Sequence, residues 1–496
     1  MITIEKHNEV YIRIFSDSSI EQELSDFFKF RISGYKFMPA YKAGIWDGYV
    51  RLYNLQTKNL YAGLLQYVKE FANRNDYELT ISAGIENSNT YSAQDIQLFA
   101  DSLNLSARGL PISLRDYQVD ALLKALNRNR VTLLSPTASG KSGILYAIMR
   151  WHLNANRKLL LIVPNTMLVE QMYSDFADYS SANGFNVEHN VQKLYSGFTK
   201  DFTKNVLIST WQSLITIKQK SFYQQFDVAM VDECHLAKAA SISGIMEKCV
   251  NTKYRIGATG TIDESSKTNK LTLEGLFGPV YQVTTTKKLM DEGSVVNLKI
   301  KQLILKYDEE TCRMFKGTEY TKELDWLVTN PVRNKFIRNL AISTTGNTLV
   351  LFNYVQKHGK VIYEDIKNKV HQDRPVFYIH GGVDTKDREE IRNVCSKYNN
   401  AIIVASYATM STGTNMPSIE NIIFAHPSKS KIRNLQSIGR GLRLNDGKNE
   451  CRLFDLVDDL HWKSWKNTTL SHGIERYKIY ITEQFLVNIV EVELKC

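Results

Sequence analysis

Continuous apolar runs at 131–134, 159–164, 206–209 and 228–231 are separated by stretches whose apolar residues recur at helical spacing, notably 143–150 and 165–179. Unbroken apolar runs of strand length suit strands covered on both faces, and their alternation with helices predicts a parallel sheet with ligands at the carboxyl ends of its strands. A second series of the same kind begins at 348–352 and continues through 376–379, 401–405 and 421–425. The pattern therefore predicts two α/β halves in tandem. Before them, residues 27–53 break into short pieces punctuated by Gly34, Gly44 and Gly48, which predicts short strands and loops of a small α+β domain. Residues 87–111 are polar, with Asn87, Asn89 and Gly109, and read as a connector; 261–330 turns irregular and charged and reads as including the link between halves. The expected organisation is an N-terminal domain at 1–90, a first half at 91–290, a linker at 291–330 and a second half at 331–496 ending in a helical tail.

A chain of 496 residues exceeds one core, in keeping with that division. Its longest apolar runs are far below the roughly 18 residues of a membrane span. Residues 1–10 carry Glu5, Lys6 and Glu9 and lack the apolar core of a signal peptide, so a soluble protein retained inside its cell is expected. Six cysteines are scattered without C-x-x-C spacing, which argues for reduced thiols rather than a zinc site or a disulfide framework. A net charge of +10 makes a polyanion a reasonable partner, although the excess also suits a solvated surface.

Chemistry concentrates where strands end. After 131–134 comes Ser135-Pro136-Thr137-Ala138-Ser139-Gly140-Lys141-Ser142, a small-residue loop opening a helix. Backbone N–H groups there converge on a spot suited to a triphosphate, with Lys141 reaching the β- and γ-phosphates and the Ser142 hydroxyl holding Mg²⁺. Alone, the stretch favours phosphate binding, the alternative being a helix whose first turn happens to carry Gly140, Lys141 and Ser142. Asp232 and Glu233 follow the run 228–231, and in one site with the loop they divide the work: Asp232 for Mg²⁺, Glu233 for polarising the attacking water. Ahead of the loop lies 114–118, where the Gln118 amide can both donate to and accept from an adenine edge. In the second half, Arg440 and Arg443 lie on one face if their segment is helical, and suit the spread charge of a transferring phosphoryl group, or else form a salt-bridged surface helix.

Between Phe27 and Tyr53 cations and rings interleave, with Lys36, Lys42 and Arg51 among them and Asp47 as the lone acid from 27 to 53. This is a candidate nucleic-acid surface. The alternative is that most of the rings form the core of the small domain.

In order along the chain, 114–118, 136–142, 232–235, 257–261, 412–415 and 436–443 resemble the Q motif and motifs I, II, III, V and VI of superfamily 2 helicases. With 34–37, 44–48, 232–236 and the tail 471–477, the chain is most similar to the UvsW helicases of T-even-like phages. That resemblance implies a small DNA-binding domain followed by two RecA-like domains. It also implies an ATP-driven, Mg²⁺-dependent enzyme that remodels branched DNA, D-loops and R-loops during recombination and repair. Branched duplex DNA, single strands and RNA–DNA hybrids are the expected partners of a monomer in the cytoplasm of the infected bacterium, with oligomeric state left open by the sequence. The family pattern assigns ATP contacts to Gln118, Thr137, Gly140, Lys141, Ser142, Gly413, Asn415 and Gln436. Asp232 and Glu233 fall at the metal and the water, and Arg440 and Arg443 complete the set. Asn165, Thr210, Gln212, Gly381 and Thr412 fall where relatives touch the nucleic-acid backbone. Two departures stand out: Ser135 replaces the first loop glycine, and Gly257 to Thr261 replaces the commoner Ser-Ala-Thr.

Overall fold

The apolar runs form strands, and the computed structural model arranges them in two parallel sheets. It describes all residues except 33, 86–88, 197–201, 239, 263–266, 382–397, 412–418, 428–429, 431–437, 440–441, 443–449 and 495–496. The chain divides into two compact units, Met1–Pro136 with Gly140–Thr284, and Thr285–Cys496 with Thr137–Ser139.

The first unit opens with β1 (Ile2–Lys6), β2 (Tyr11–Phe15), β3 (Lys29–Arg31), β4 (Tyr49–Arg51), β5 (Asn59–Tyr61) and β6 (Leu79–Ile81). Four of these make a sheet in the order β5-β2-β1-β6, while β3 and β4 form a separate antiparallel ribbon. Period-two alternation turns Ile2, Ile4, Ile12 and Ile14 inward, where they meet Phe28, Tyr53, Leu60 and Val68 in a small α+β core. Thus part of the aromatic set between 27 and 53 is core, as the alternative reading held, and part is not. Leu271, from the helix Lys267–Phe277, belongs to the same core.

Between the N-terminal sheet and the first parallel sheet, the stretch expected as a connector contains the helix Ala93–Ser102, capped reciprocally by Ser92 and Asp95, and the two-residue strands β7 (Ser106–Ala107) and β8 (Leu110–Pro111). The parallel sheet follows: β9 (Arg130–Leu134), β10 (Leu159–Val163), β11 (Val191–Leu194), β12 (Val206–Thr210), β13 (Val228–Asp232), β14 (Tyr254–Thr259) and β15 (Val280–Gln282). Their order is β11-β12-β10-β13-β14-β9-β15. Register pairs Asp232 with Ala258 and Thr259 with Leu134, so the carboxyl ends of β13, β14 and β9 lie side by side.

In the second unit the order is β18-β19-β17-β20-β21-β16-β22, again parallel throughout. The strands are β16 (Asn297–Lys306), β17 (Thr348–Phe352), β18 (Val376–Ile379), β19 (Ile402–Ser406), β20 (Asn421–Phe424), β21 (Glu450–Asp459) and β22 (Leu486–Glu493). Two expectations change here. Residues 291–330 are not a link: β16 sits between β21 and β22, followed by the helices Glu309–Phe315 and Tyr320–Thr329. The tail is helical only over Thr468–Thr482 and returns as the edge strand β22.

Candidate nucleotide site and nucleic-acid surfaces

β9 ends at Leu134, and the loop that follows turns through left-handed backbone at Ala138 (φ 67°) and Gly140 (φ 76°) before the helix Lys141–Asn154 begins. The left-handed backbone favours glycine at 140, and a Cβ there would also lie 2.2 Å from Gln118 Nε2 and displace that side chain's end. Gln118 is buried, its Oε1 accepting from the Arg115 N–H (2.8 Å) and its Nε2 donating to the Gly140 carbonyl (3.4 Å). The amide that could read a base edge thus braces the phosphate loop. Thr137 lies in the loop, half-buried.

Lys141 Nζ sits between the acid pair, 2.6 Å from Asp232 Oδ1 and 2.9 Å from Glu233 Oε1. Burial disfavours its charge, yet the two carboxylates outweigh that and hold the ammonium above the ordinary lysine range. For Asp232, burial pushes the carboxyl up against the pull of Lys141. Glu233 feels the same burial, but Lys141 and the hydrogen bond from His235 hold it well below the usual carboxylate range. Its backbone is left-handed (φ 52°), an uncommon conformation for this residue type that turns the chain sharply after β13.

Thr259, at the end of β14, links this acid to its neighbours. Its Oγ1 lies 2.9 Å from His235 Nδ1, 3.3 Å from Glu233 Oε2 and 3.0 Å from the Thr261 carbonyl, and His235 Nδ1 is 3.2 Å from Glu233 Oε2. One hydroxyl proton serves only one acceptor at a time, so a change at Glu233 re-pairs Thr259.

Mg²⁺ takes oxygen ligands and leans on substrate phosphates more than on protein cages. Among the described residues no group of three or more His, Cys, Asp or Glu gathers at metal-ligand spacing. Asp232 Oδ1 is buried and, among the described residues, has the ionic contact to Lys141 and no further hydrogen-bond partner. Ser142 Oγ lies 2.8 Å from Tyr179 Oη, and if Tyr179 donates, a Ser142 lone pair is left for a cation. The oxygen donors present therefore fit Mg²⁺.

The residues expected to meet nucleic acid stand on several elements. Asn165 caps the helix Thr166–Tyr179, accepting from the Leu168 N–H (3.0 Å), and Thr210 is buried as the cap of the helix Trp211–Ile215. Gln212 is exposed and donates to the Pro164 carbonyl (3.3 Å), so the ends of β10 and β12 bring these three together. Gly381 follows β18, exposed, with open space where a Cβ would stand. Lys36, Lys42 and Arg51 are exposed on the β3–β4 ribbon and its loop, with Arg51 paired to Asp47 (2.5 Å). Thr412, Gly413, Asn415, Gln436, Arg440 and Arg443 lie outside the described residues. The sequence did not single out Tyr179, for no local motif marks a tyrosine at the far end of the next helix.

The family description "DNA helicase UvsW, N-terminal" matches residues 2–82, "Type III restriction enzyme, res subunit" matches 111–264, and "Helicase conserved C-terminal domain" matches 332–445. The ATP-dependent DNA helicase uvsW of Enterobacteria phage T4 is 34% identical over 98% of both chains. The crystal structure of T4 UvsW matches with a TM-score of 0.53 and 32% identity over the full length of each chain. The Type I restriction enzyme EcoKI endonuclease subunit of Escherichia coli is 25% identical over 90% of this chain and 42% of its own. With sequence and fold matched end to end, the chain belongs to the UvsW family of ATP-dependent DNA helicases, within superfamily 2.

Proposed function

We propose that this helicase hydrolyses ATP at Lys141, Asp232 and Glu233 and spends it on unwinding or branch-migrating forks, Holliday junctions, D-loops and R-loops. The observation behind this reading is the Lys141 ammonium held by two carboxylates at adjoining strand ends, with Thr259 on one of them. An arriving triphosphate competes for Lys141 as the stronger anion and frees the acid pair. Glu233 takes a proton from the attacking water as its oxygen bonds to the γ-phosphorus; the bond to ADP breaks, and ADP leaves with the electron pair. Mg²⁺, held by Asp232 and Ser142 with the nucleotide, would neutralise charge on the phosphate oxygens. Gln118, Thr137, Gly140, Gly413, Asn415 and Gln436 are proposed as further nucleotide contacts, and Arg440 and Arg443 as stabilisers of the transferring group.

Opening duplex costs about 1.4 kcal/mol per base-pair step, so strand separation needs either this fuel or replacement pairing, which branch migration supplies. The enzyme is proposed to act as a monomer on branched duplexes, single strands and RNA–DNA hybrids in the cytoplasm of the infected cell. Its proposed division is a nucleic-acid-binding region near 1–90 ahead of two motor halves. The test is ATP-dependent unwinding of a fork, junction, D-loop and R-loop panel with wild type, Lys141→Ala and Glu233→Gln. Both variants are expected to bind DNA and not hydrolyse ATP; normal turnover in either overturns the assignment. The match of 111–264 to a restriction-enzyme family favours a second reading, a translocase that tracks duplex without separating it. ATP turnover on plain duplex with no displacement on forks would select it.

A further inference from the structure

Between β3 and β4 the chain makes an excursion over residues 32–48 whose rings are mostly used up inside it. Tyr35 and Tyr41 meet edge to face at 4.7 Å, Arg31 lies 4.7 Å over Tyr35 and 4.6 Å over Tyr49, and Trp46 Nε1 donates to the Tyr49 carbonyl at 2.8 Å. Gly48, left-handed at φ 83°, lets Tyr35 pack where a Cβ would come within 2.6 Å of the ring. These contacts brace the loop, yet three apolar side chains stay outside it: Phe37 is 80% exposed, Ile45 82% and Met38 38%. Exposed Lys36 and Lys42 flank them, and Lys29, Arg31 and Arg51 line the ribbon behind. Asp47, the one acid in the excursion, is already paired with Arg51.

We infer that Phe37 and Ile45 form an apolar tip that packs against unstacked bases where a branched nucleic acid opens. The inference rests on the helicase reading and adds the place where strands are parted. Intact duplex offers phosphates to the cations but hides its base faces, whereas a fork or junction exposes both. Apolar side chains wedged between base steps are a known way of paying for unstacking with contact area. Self-association through the same tip is disfavoured, because a second copy brings the same uncompensated cations.

The test places 2-aminopurine at the junction of a fork and reads its fluorescence on binding without ATP, then base pairs opened per ATP hydrolysed. Wild type is expected to brighten the probe. Phe37→Ala/Ile45→Ala should lose that signal and open about ten-fold fewer pairs per ATP, the scale of one lost stacking contact. Phe37→Trp should keep both. Because both side chains point to solvent, unchanged thermal melting excludes a folding defect. A double variant that brightens the probe and unwinds like wild type overturns the proposal. So does one that changes the mass of the protein in solution while unwinding normally, since the tip would then be a protein contact. If wild type hydrolyses no ATP, the helicase reading fails separately and the ATP-independent signal still decides the tip.

Discussion

At Lys141 one ammonium compensates two carboxylates, and what happens without it follows from their electrostatics. In Lys141→Ala, Asp232 and Glu233 lose their shared ammonium while Glu233 keeps the His235 contact, so both titrations move up and that of buried Asp232 lies above its unfolded value. A carboxyl raised in the fold binds more protons folded than unfolded, and its effect on stability worsens as pH rises through that window. Wild type behaves oppositely at Glu233, whose lowered titration contributes stability above the unfolded range and loses it as pH falls. The variant's deficit in melting temperature should therefore narrow on going from about pH 8 to about pH 5. A constant gap in paired thermal melts would mean that the three charges are not coupled. Thr259→Val tests the neighbouring link: it removes a hydroxyl shared by His235 and Glu233 with little change of shape, and a hydrogen bond to a charged group is worth about 1.5–3 kcal/mol. DNA-stimulated ATP turnover should fall by roughly ten-fold or more while nucleotide binding changes little. An equal loss in both would make Thr259 a packing residue. Lys141 and the acid pair were legible because the small-residue loop before Lys141 and the acid pair itself each begin where an apolar strand ends. The Thr259 contact was not, since it depends on β14 lying between β13 and β9, an order that no local pattern prints.

Elements carry the connection from the N-terminal region to the motor. Two helices follow the ends of β13 and β14, Ala240–Lys248 after Glu233 and Lys267–Phe277 after Thr259, and the N-terminal region is bonded to both. Tyr61 Oη donates to Glu247 at 2.5 Å and Tyr67 Oη to Glu274 at 2.5 Å, while Arg130 at the start of β9 pairs with Glu9 at 3.1 Å. At Gly63 a Cβ would stand 2.1 Å from the Glu274 carbonyl oxygen, backbone against backbone with no side chain to give way. Gly63→Ala should then cost about 1–3 kcal/mol, the price of overpacking. It should also lower stimulation of the ATPase by DNA more than the unstimulated rate; an unchanged ratio would show that the junction only holds the region in place. Reading the sequence as separate pieces missed this docking because its contacts join residues 121 to 207 positions apart. The helix Ala93–Ser102 was hidden by a polar surround, although Ser92 and Asp95 spell its cap. β16 was hidden by Lys299 and Lys301, which alternate with buried Leu298 and Ile300 and face outward from the strand.

On the scale of the molecule, the second unit holds its sheet and helices together through buried charge as well as apolar packing. Arg333, on the helix Pro331–Ser343, is fully buried and pairs through Nε and Nη2 with Asp458 of β21 at 2.7 and 2.9 Å, and Tyr307 donates to the same carboxylate at 2.8 Å. Alongside, Arg476 meets Asp455 at 2.7 Å, and Glu323 accepts from the N–H groups of Thr468 and Thr469 at 3.0 and 2.8 Å. These pairings explain why 291–330 belongs to the fold: Tyr307 and Glu323 are the near halves of contacts whose far halves lie beyond residue 450. A buried pair stripped of one partner leaves an uncompensated charge, costing about 3–5 kcal/mol, whereas replacing both by apolar residues costs much less. Arg333→Met should accordingly destabilise more than Arg333→Met/Asp458→Leu, a non-additivity that a double-mutant cycle reads directly. Each unit has its own apolar core, so hydrogen exchange in the single variant should quicken across the helix Pro331–Ser343, β16 and β21 while β9, β13 and β14 keep their protection. Equal loss of protection in both sheets would show that the two units unfold as one.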